Sequence, residues 1–236
     1  MKPWELLGET TTPDGSSMRL MRRDSEHVVW VNGKTLMSSR MHGSEEALAI
    51  AACRHLKNAE APRVLIGGLG MGFTLAAALQ ELPRDAVVIV AELVPAIVAW
   101  NRGALGECAG HPLKDRRARV TMADVGDVIR RGREQFDAIM LDVDNGPAAF
   151  TTADNVGLYN NSGVEACALA LRPGGVLAVW SAWEDRKFEQ RLNVYGFDVR
   201  VDRVRARLKG GGPRHTIFVG VKRSDQDRHW RRQHRT

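Results

Sequence analysis

The chain has 236 residues, 44% of them hydrophobic and 26% charged, with a formal net charge of +6. That length suits one α/β domain with an appendage, and the apolar content is ordinary for a packed globule. The apolar runs are too short to span a bilayer, and the opening Met1-Lys2-Pro3-Trp4-Glu5 has no apolar signal core. The scattered Cys53, Cys108 and Cys167 form neither a zinc motif nor a disulfide framework. A cytoplasmic protein with no bound metal and no membrane partner is expected.

Residues 1–45 read as a small β appendage. Arg19 to Arg22 and His27 to Val31 have strand character, Asn32-Gly33 is a hairpin turn signal, and Lys34 to Met37 would return. Ser44 to Lys57 follows as an amphipathic helix, with Ser44 as its expected N-cap and Pro62 beyond its end.

Residues 46–222 read as one domain in which strands and helices alternate. The run Val64-Leu65-Ile66 ends in Gly67, Gly68, Gly70 and Gly72, and a helical stretch, Thr74 to Leu82, comes next. A second apolar run, Ala86 to Ala91, ends in Glu92, twenty residues after Gly72. Strand, glycine turn, helix, strand, acid is the pattern of a nucleoside-binding α/β unit. Glycines let the backbone turn tightly and approach a ligand, and a carboxylate at a strand end can accept both hydrogens of a ribose diol. The pattern continues with a helix from Pro95 to Leu105 and a strand from Arg119 to Met122 leading to Asp124. A strand from Phe136 to Leu141 leads to Asp142, and a helix from Val164 to Leu171 stops at Arg172-Pro173-Gly174-Gly175. Val176 to Trp180 is a strand, Asp185 to Tyr195 a helix, and Phe197 to Val204 and Thr216 to Val221 are the last two strands. The expected fold is α/β, a doubly wound, mostly parallel seven-stranded sheet. Its final pair is expected to be antiparallel, because the loop between those strands has no helical pattern. Residues 223–236 read as a basic flexible tail: from Lys222 onward six Lys or Arg stand against two Asp.

These landmarks resemble the class I S-adenosylmethionine-dependent methyltransferase fold and, more narrowly, the spermidine synthase (polyamine aminopropyltransferase) family. The similarity runs over roughly residues 19–221. It rests on the glycine turn, Glu92, Ala123-Asp124, and Phe136-Asp137-Ala138-Ile139-Met140-Leu141-Asp142. Gly146-Pro147-Ala148, Leu158-Tyr159 and Leu171-Arg172-Pro173-Gly174-Gly175-Val176-Leu177 extend it. The resemblance implies S-adenosylmethionine or its decarboxylated form as cosubstrate, with Gly67, Gly68, Gly70 and Gly72 cradling it. It further implies Glu92 on the ribose hydroxyls, Asp124 on the adenine amino group, and Asp142 facing the reacting centre. It also implies a small-molecule acceptor and, by analogy alone, a homodimer.

Three departures touch the acceptor half of the site. Aminopropyltransferases usually carry an Asp within the glycine turn that holds the aminopropyl amine, and Gly70 stands there. Their two catalytic acids are three apart, whereas Asp142 and Asp144 are two apart. Their polyamine-directed Gln and Asp-Glu positions correspond to Leu36-Met37 and His42-Gly43-Ser44-Glu45-Glu46.

Each candidate also has a plainer reading. The glycines would serve any tight strand–helix turn, Glu92 a helix N-terminus, and Asp124 a helix cap. Asp142 and Asp144 are natural turn formers beside Asn145-Gly146, yet period two in extended chain would point both carboxylates one way and raise one pKa. Tyr159 either lines the acceptor pocket or packs with a wet hydroxyl. Trp180 and Trp183 could stack on an acceptor or simply pack, His215 reads as structural, and the His42/Glu46 pair reads as a solvated face. Functionally, transfer of a methyl or aminopropyl group leads, with Asp142, Asp144 and Tyr159 as catalytic candidates. A non-catalytic nucleoside-binding protein is the alternative. A nucleic-acid methyltransferase is a further one, suggested by Trp230 among the tail arginines; nucleic acid is not expected as a partner, because the strand from Phe136 to Leu141 ends in Asp142-Val143-Asp144-Asn145 and lacks the Asp/Asn-Pro-Pro-aromatic segment. A dinucleotide oxidoreductase fits the Asp124 and Gly-Pro-Ala landmarks poorly.

Overall fold

The computed structural model describes residues 2–143, 157–207 and 211–224. Four strands open the chain: β1 (Glu5–Thr11), β2 (Ser17–Arg23), β3 (Glu26–Val31) and β4 (Lys34–Ser38). They form an antiparallel sheet in sequential order. The appendage is therefore larger by one strand than the sequence reading gave. β1 escaped because Glu5–Thr11 is mostly exposed and lacks alternation, and its pairing with β2 is bulged between Leu6 and Gly8. Gly8 has a packing reason: a Cβ there would lie 2.4 Å from the Trp100 indole nitrogen.

The remaining elements are α1 (Gly43–Cys53), β5 (Arg63–Gly67), α2 (Phe73–Glu81), β6 (Val87–Glu92), α3 (Pro95–Arg102), β7 (Ala118–Met122), α4 (Val125–Arg131), β8 (Phe136–Leu141), α5 (Asn161–Ala170), β9 (Leu171–Ser181), α6 (Arg186–Val194), β10 (Phe197–Arg205) and β11 (Arg214–Lys222). They build a seven-stranded sheet in the order β10-β11-β9-β8-β5-β6-β7. β5 pairs in parallel with both β6 and β8, and β8 in parallel with β9, while β11 is antiparallel to its two neighbours. This is the expected doubly wound sheet of the class I methyltransferase type.

Both faces of the sheet are covered, which is why its strands read as continuous apolar runs. Period two sends Val64 and Ile66 of β5, Ala138 and Met140 of β8, and Val176 and Ala178 of β9 into one core. Leu65, Ile139, Leu141, Leu177 and Val179 enter the other. α1 and α2 cover the first face and α4, α5 and α6 the second. The chain reverses direction across the sheet between β5 and β8, so the crevice beyond the carboxyl ends of β5, β6 and β8 is where an open sheet binds ligands. No helix of the described residues is long and apolar enough to cross a membrane.

α1 starts one residue earlier than expected, and Ser44 is not its cap. His42 holds the N-cap position without a side-chain hydrogen bond. The Ser44 hydroxyl is instead directed to Glu45 Oε2 at 2.8 Å.

Candidate functional site

The glycine turn is built from backbone that other residues resist. Gly68, Gly70 and Gly72 have φ of 86°, 53° and 84°. A Cβ on Gly68 would lie 2.7 Å from the Asp142 carbonyl oxygen, and one on Gly72 2.9 Å from Asn101 Oδ1. Gly67, of ordinary φ, is closed off by Val125, whose Cγ2 would be 2.9 Å from an added Cβ. Gly70 differs: only the Met37 sulfur, at 3.7 Å, comes near the place of its Cβ. The turn thus presents an open position at Gly70 and sealed ones on either side.

Glu92, 8% exposed at the end of β6, pins this turn. Its Oε2 accepts the Leu69 N–H at 2.9 Å and its Oε1 accepts the Val94 N–H at 2.8 Å. Each carboxylate oxygen keeps one lone pair for a further donor. Asn101, missed by the sequence reading, holds the same loop from α3. Its Nδ2 donates to the Gly70 carbonyl at 2.8 Å and to the Ile97 carbonyl at 2.9 Å, while its buried Oδ1 has no partner among the described residues. Leu93 and Met122, just beyond and at the ends of β6 and β7, are each half exposed, an apolar rim beside the turn.

Asp124 is the N-cap of α4, its Oδ1 accepting the Asp127 N–H at 3.0 Å, with Arg130 3.7 Å away. The capping role is therefore filled, and the carboxylate stands at the carboxyl end of β7, on the crevice side of the sheet.

Asp142 follows the last residue of β8. The alternation that buries Ala138 and Met140 toward α1 and α2 carries its side chain to that same face. There Thr74, in the first turn of α2, donates its hydroxyl to Asp142 Oδ2 at 2.7 Å. Burial pushes the Asp142 carboxyl up from its ordinary range, and the Thr74 hydrogen bond opposes the rise. Glu45 of α1 faces it. Burial and the Asp142 charge push Glu45 up to about 8 against the pull of the Ser44 hydrogen bond. With its carboxyl pushed up to about 8 in part by the Asp142 charge, Glu45 carries a proton near neutral pH. Thr74 has no role in the sequence analysis, and Glu45 enters it only within His42-Gly43-Ser44-Glu45-Glu46, the segment at the polyamine-directed Asp-Glu position.

Asp144 and the Gly146-Pro147-Ala148 segment lie outside the described residues, as does the tail from Asp225 onward. Tyr159 is buried, edge-on to Phe188, and its hydroxyl donates to the Val143 carbonyl at 3.2 Å. It thereby fastens the chain immediately after Asp142. Trp180 at the end of β9 packs partly buried, its ring 4.6 Å from that of His215, whereas Trp183 is 57% exposed. The His42/Glu46 pair is not a solvated face: both are half-buried, Nδ1 lies 2.7 Å from Glu46 Oε1, and the His42 ring stacks on Phe73. Among the described residues no group of three or more His, Cys, Asp or Glu is placed to hold a metal ion.

The features that a sulfonium nucleoside would need are these: an open glycine position, a strand-end carboxylate with free lone pairs, an apolar rim, and a second carboxylate near the turn. The residues present fit such a group.

No protein-family model matches the chain, and no curated protein does. Solved structures do. A spermidine synthase from Thermotoga maritima aligns over 92% of this chain and 72% of its own, at 18% identity and a TM-score of 0.70. A spermidine synthase in complex with the transition-state analogue AdoDATO aligns over the same shares, at 19% identity and a TM-score of 0.70. A probable spermidine synthase from Corynebacterium glutamicum aligns over 94% of this chain and 81% of its own, at 16% identity and a TM-score of 0.63. With its seven-stranded sheet, its N-terminal β appendage and these alignments, the chain has a spermidine synthase-like fold.

Proposed function

We propose that the protein is a transferase that binds S-adenosylmethionine or its decarboxylated form and moves a carbon group from the sulfonium to a small amine acceptor. The observation that carries this reading is the Asp142–Glu45 carboxyl pair, set beside the glycine turn by β8 and α1. Glu92 would hold the ribose and Asp124 the adenine edge, and the apolar rim of Leu93 and Met122 would cover the base. A half-neutralised carboxyl pair suits a basic acceptor: one carboxylate attracts the cation, and the pair can take the proton that the amine must lose. Thr74 keeps Asp142 aimed, and Tyr159 holds the backbone behind it. The chief protein contribution is alignment of two reactants in a dry crevice, worth about 7–11 kcal/mol where alignment is complete.

The leaving product identifies the group transferred. Loss of an aminopropyl group from the decarboxylated form leaves methylthioadenosine, and loss of a methyl group from S-adenosylmethionine leaves S-adenosylhomocysteine. Incubation with each cosubstrate and a panel of diamines and polyamines, read by mass spectrometry, is expected to release one of these. Cosubstrate binding without either product on any acceptor would favour a non-catalytic nucleoside-binding protein. The open Gly70, where aminopropyltransferases usually carry an Asp, supports methyl transfer; the likeness to spermidine synthases supports aminopropyl transfer.

A further inference from the structure

We propose that Ser44 and His215 form a proton wire that connects the Asp142–Glu45 pair to solvent. This rests on the transferase reading for its purpose, because an amine that attacks a sulfonium carbon must shed a proton. The wire itself is a matter of geometry. Ser44, with no exposed surface, lies between two groups: its Oγ is 2.8 Å from Glu45 Oε2 and 2.9 Å from His215 Nδ1. The same period-two rule that directs Asp142 toward α1 directs His215, two residues before the buried Ile217, to that face. His215 is half-buried at the start of β11, beside the exposed Pro213 and Arg214. The contact joins residues 171 apart in sequence, so it is a product of the fold.

A serine hydroxyl has one hydrogen, which fixes the two arrangements the wire can adopt. With Glu45 ionised, the hydroxyl donates to Glu45, and His215 must carry its proton on Nδ1 to donate to Ser44. With Glu45 protonated, the acid donates to Ser44, the hydroxyl donates to His215 Nδ1, and the ring proton sits on Nε2. The reaction step then balances. The amine nitrogen forms its bond to carbon, the carbon–sulfur bond breaks with its electron pair left on sulfur, and the amine proton passes to Asp142. The pair, now carrying one proton too many, releases the Glu45 proton to Ser44 while the Ser44 proton moves to His215 Nδ1. The imidazolium gives its Nε2 proton to water, the proton left on Asp142 passes to Glu45, and with Glu45 protonated again tautomer exchange through water returns the ring to its Nε2–H form. Ser44 and His215 touch no reactant and act through Glu45.

Among the described residues the groups facing the wire are few. Glu45 meets the charges of Asp142 from β8 and of Glu46 on its own helix, the latter paired with His42. His215 meets the Trp180 ring and the Ser44 hydroxyl, and burial lowers its pKa, so the ring is neutral above pH 7.

The test is nitrogen NMR of the intact, histidine-labelled protein between pH 7 and 9, with His215→Gln to assign the resonance among seven histidines. The expected result is a change from the Nε2–H to the Nδ1–H tautomer as Glu45 ionises, abolished in Ser44→Ala and in Glu45→Gln and moved to lower pH in Asp142→Asn. One fixed tautomer in the wild-type protein would overturn the proposal. So would a change that persists in either of the first two variants, or a midpoint that Asp142→Asn leaves in place. No cosubstrate or acceptor enters this experiment, so its failure is distinct from failure of the transferase reading, which would show instead as absent binding.

Discussion

Replacing Glu92 by Gln separates the two jobs assigned to that residue. Its two oxygens accept the Leu69 and Val94 N–H groups at 2.9 and 2.8 Å, and the residue is 8% exposed. An amide can accept only one of these, and its NH2 then faces the other N–H. Losing one charge-assisted hydrogen bond and leaving a buried donor unpaired costs about 2–4 kcal/mol. At about 2–4 °C per kcal/mol for a chain of this size, the midpoint of thermal unfolding is expected to fall by roughly 5–15 °C. Circular dichroism reads the midpoint, and hydrogen exchange reads the Leu69 amide, which is expected to lose protection. A midpoint within about 2 °C of wild type, with the Leu69 amide still protected, would refute the pinning role. Any cosubstrate binding lost in this variant should be measured well below its unfolding midpoint, so that loop and ligand effects stay apart.

Gly68→Ala and Gly15→Ala share a positive φ, 86° and 84°, but only the first meets a neighbour, the Asp142 carbonyl. Denaturant unfolding should show about 1–2 kcal/mol lost at Gly15 and at least about 1 kcal/mol more at Gly68, and equal losses would mean that the turn relaxes freely. Gly70→Asp fits the open space and a left-handed φ of 53° that Asp tolerates, so the fold should survive. It should tighten binding of decarboxylated S-adenosylmethionine relative to methylthioadenosine by about 10- to 100-fold, as one new charge-assisted hydrogen bond would, and no change in calorimetry would contradict the site. Glu45, raised from 4.5 to about 8, binds its proton more tightly folded than unfolded. Its contribution to stability is full below about pH 4.5 and is lost as pH rises through about 8, so urea unfolding should show wild type losing on the order of a few kcal/mol relative to Glu45→Gln between pH 5 and 9. A pH-independent difference would remove the carboxyl pair from the account.

The sheet was legible because its strands are buried on both sides. Runs such as Ala86 to Ala91 can be little else when glycine turns and helical stretches bound them. β1 was not legible, since an exposed, bulged edge strand leaves no periodic trace. Within the candidate site, Gly68, Glu92 and Asp142 stand out because motifs fix them relative to strand ends. Glu45, Thr74, Ser44 and His215 do not, because their meaning lies in contacts such as Thr74 with Asp142, 68 residues apart. Ser44 misled for a physical reason: a serine near a helix start normally caps it, but here Glu45 and His215 claim the hydroxyl. Helical spacing alone places the His42/Glu46 pair on a solvated face because it says nothing of Phe73, which arrives from α2 to cover it.

The most direct measurement is calorimetric titration of the protein with S-adenosylmethionine, decarboxylated S-adenosylmethionine and methylthioadenosine. All three share the adenosine that the glycine turn, Glu92 and Asp124 are held to bind, so saturable binding of each is expected, and the preference between the first two points to the group transferred. Absence of binding by all three would contradict the nucleoside site itself, and with it the proposed chemistry.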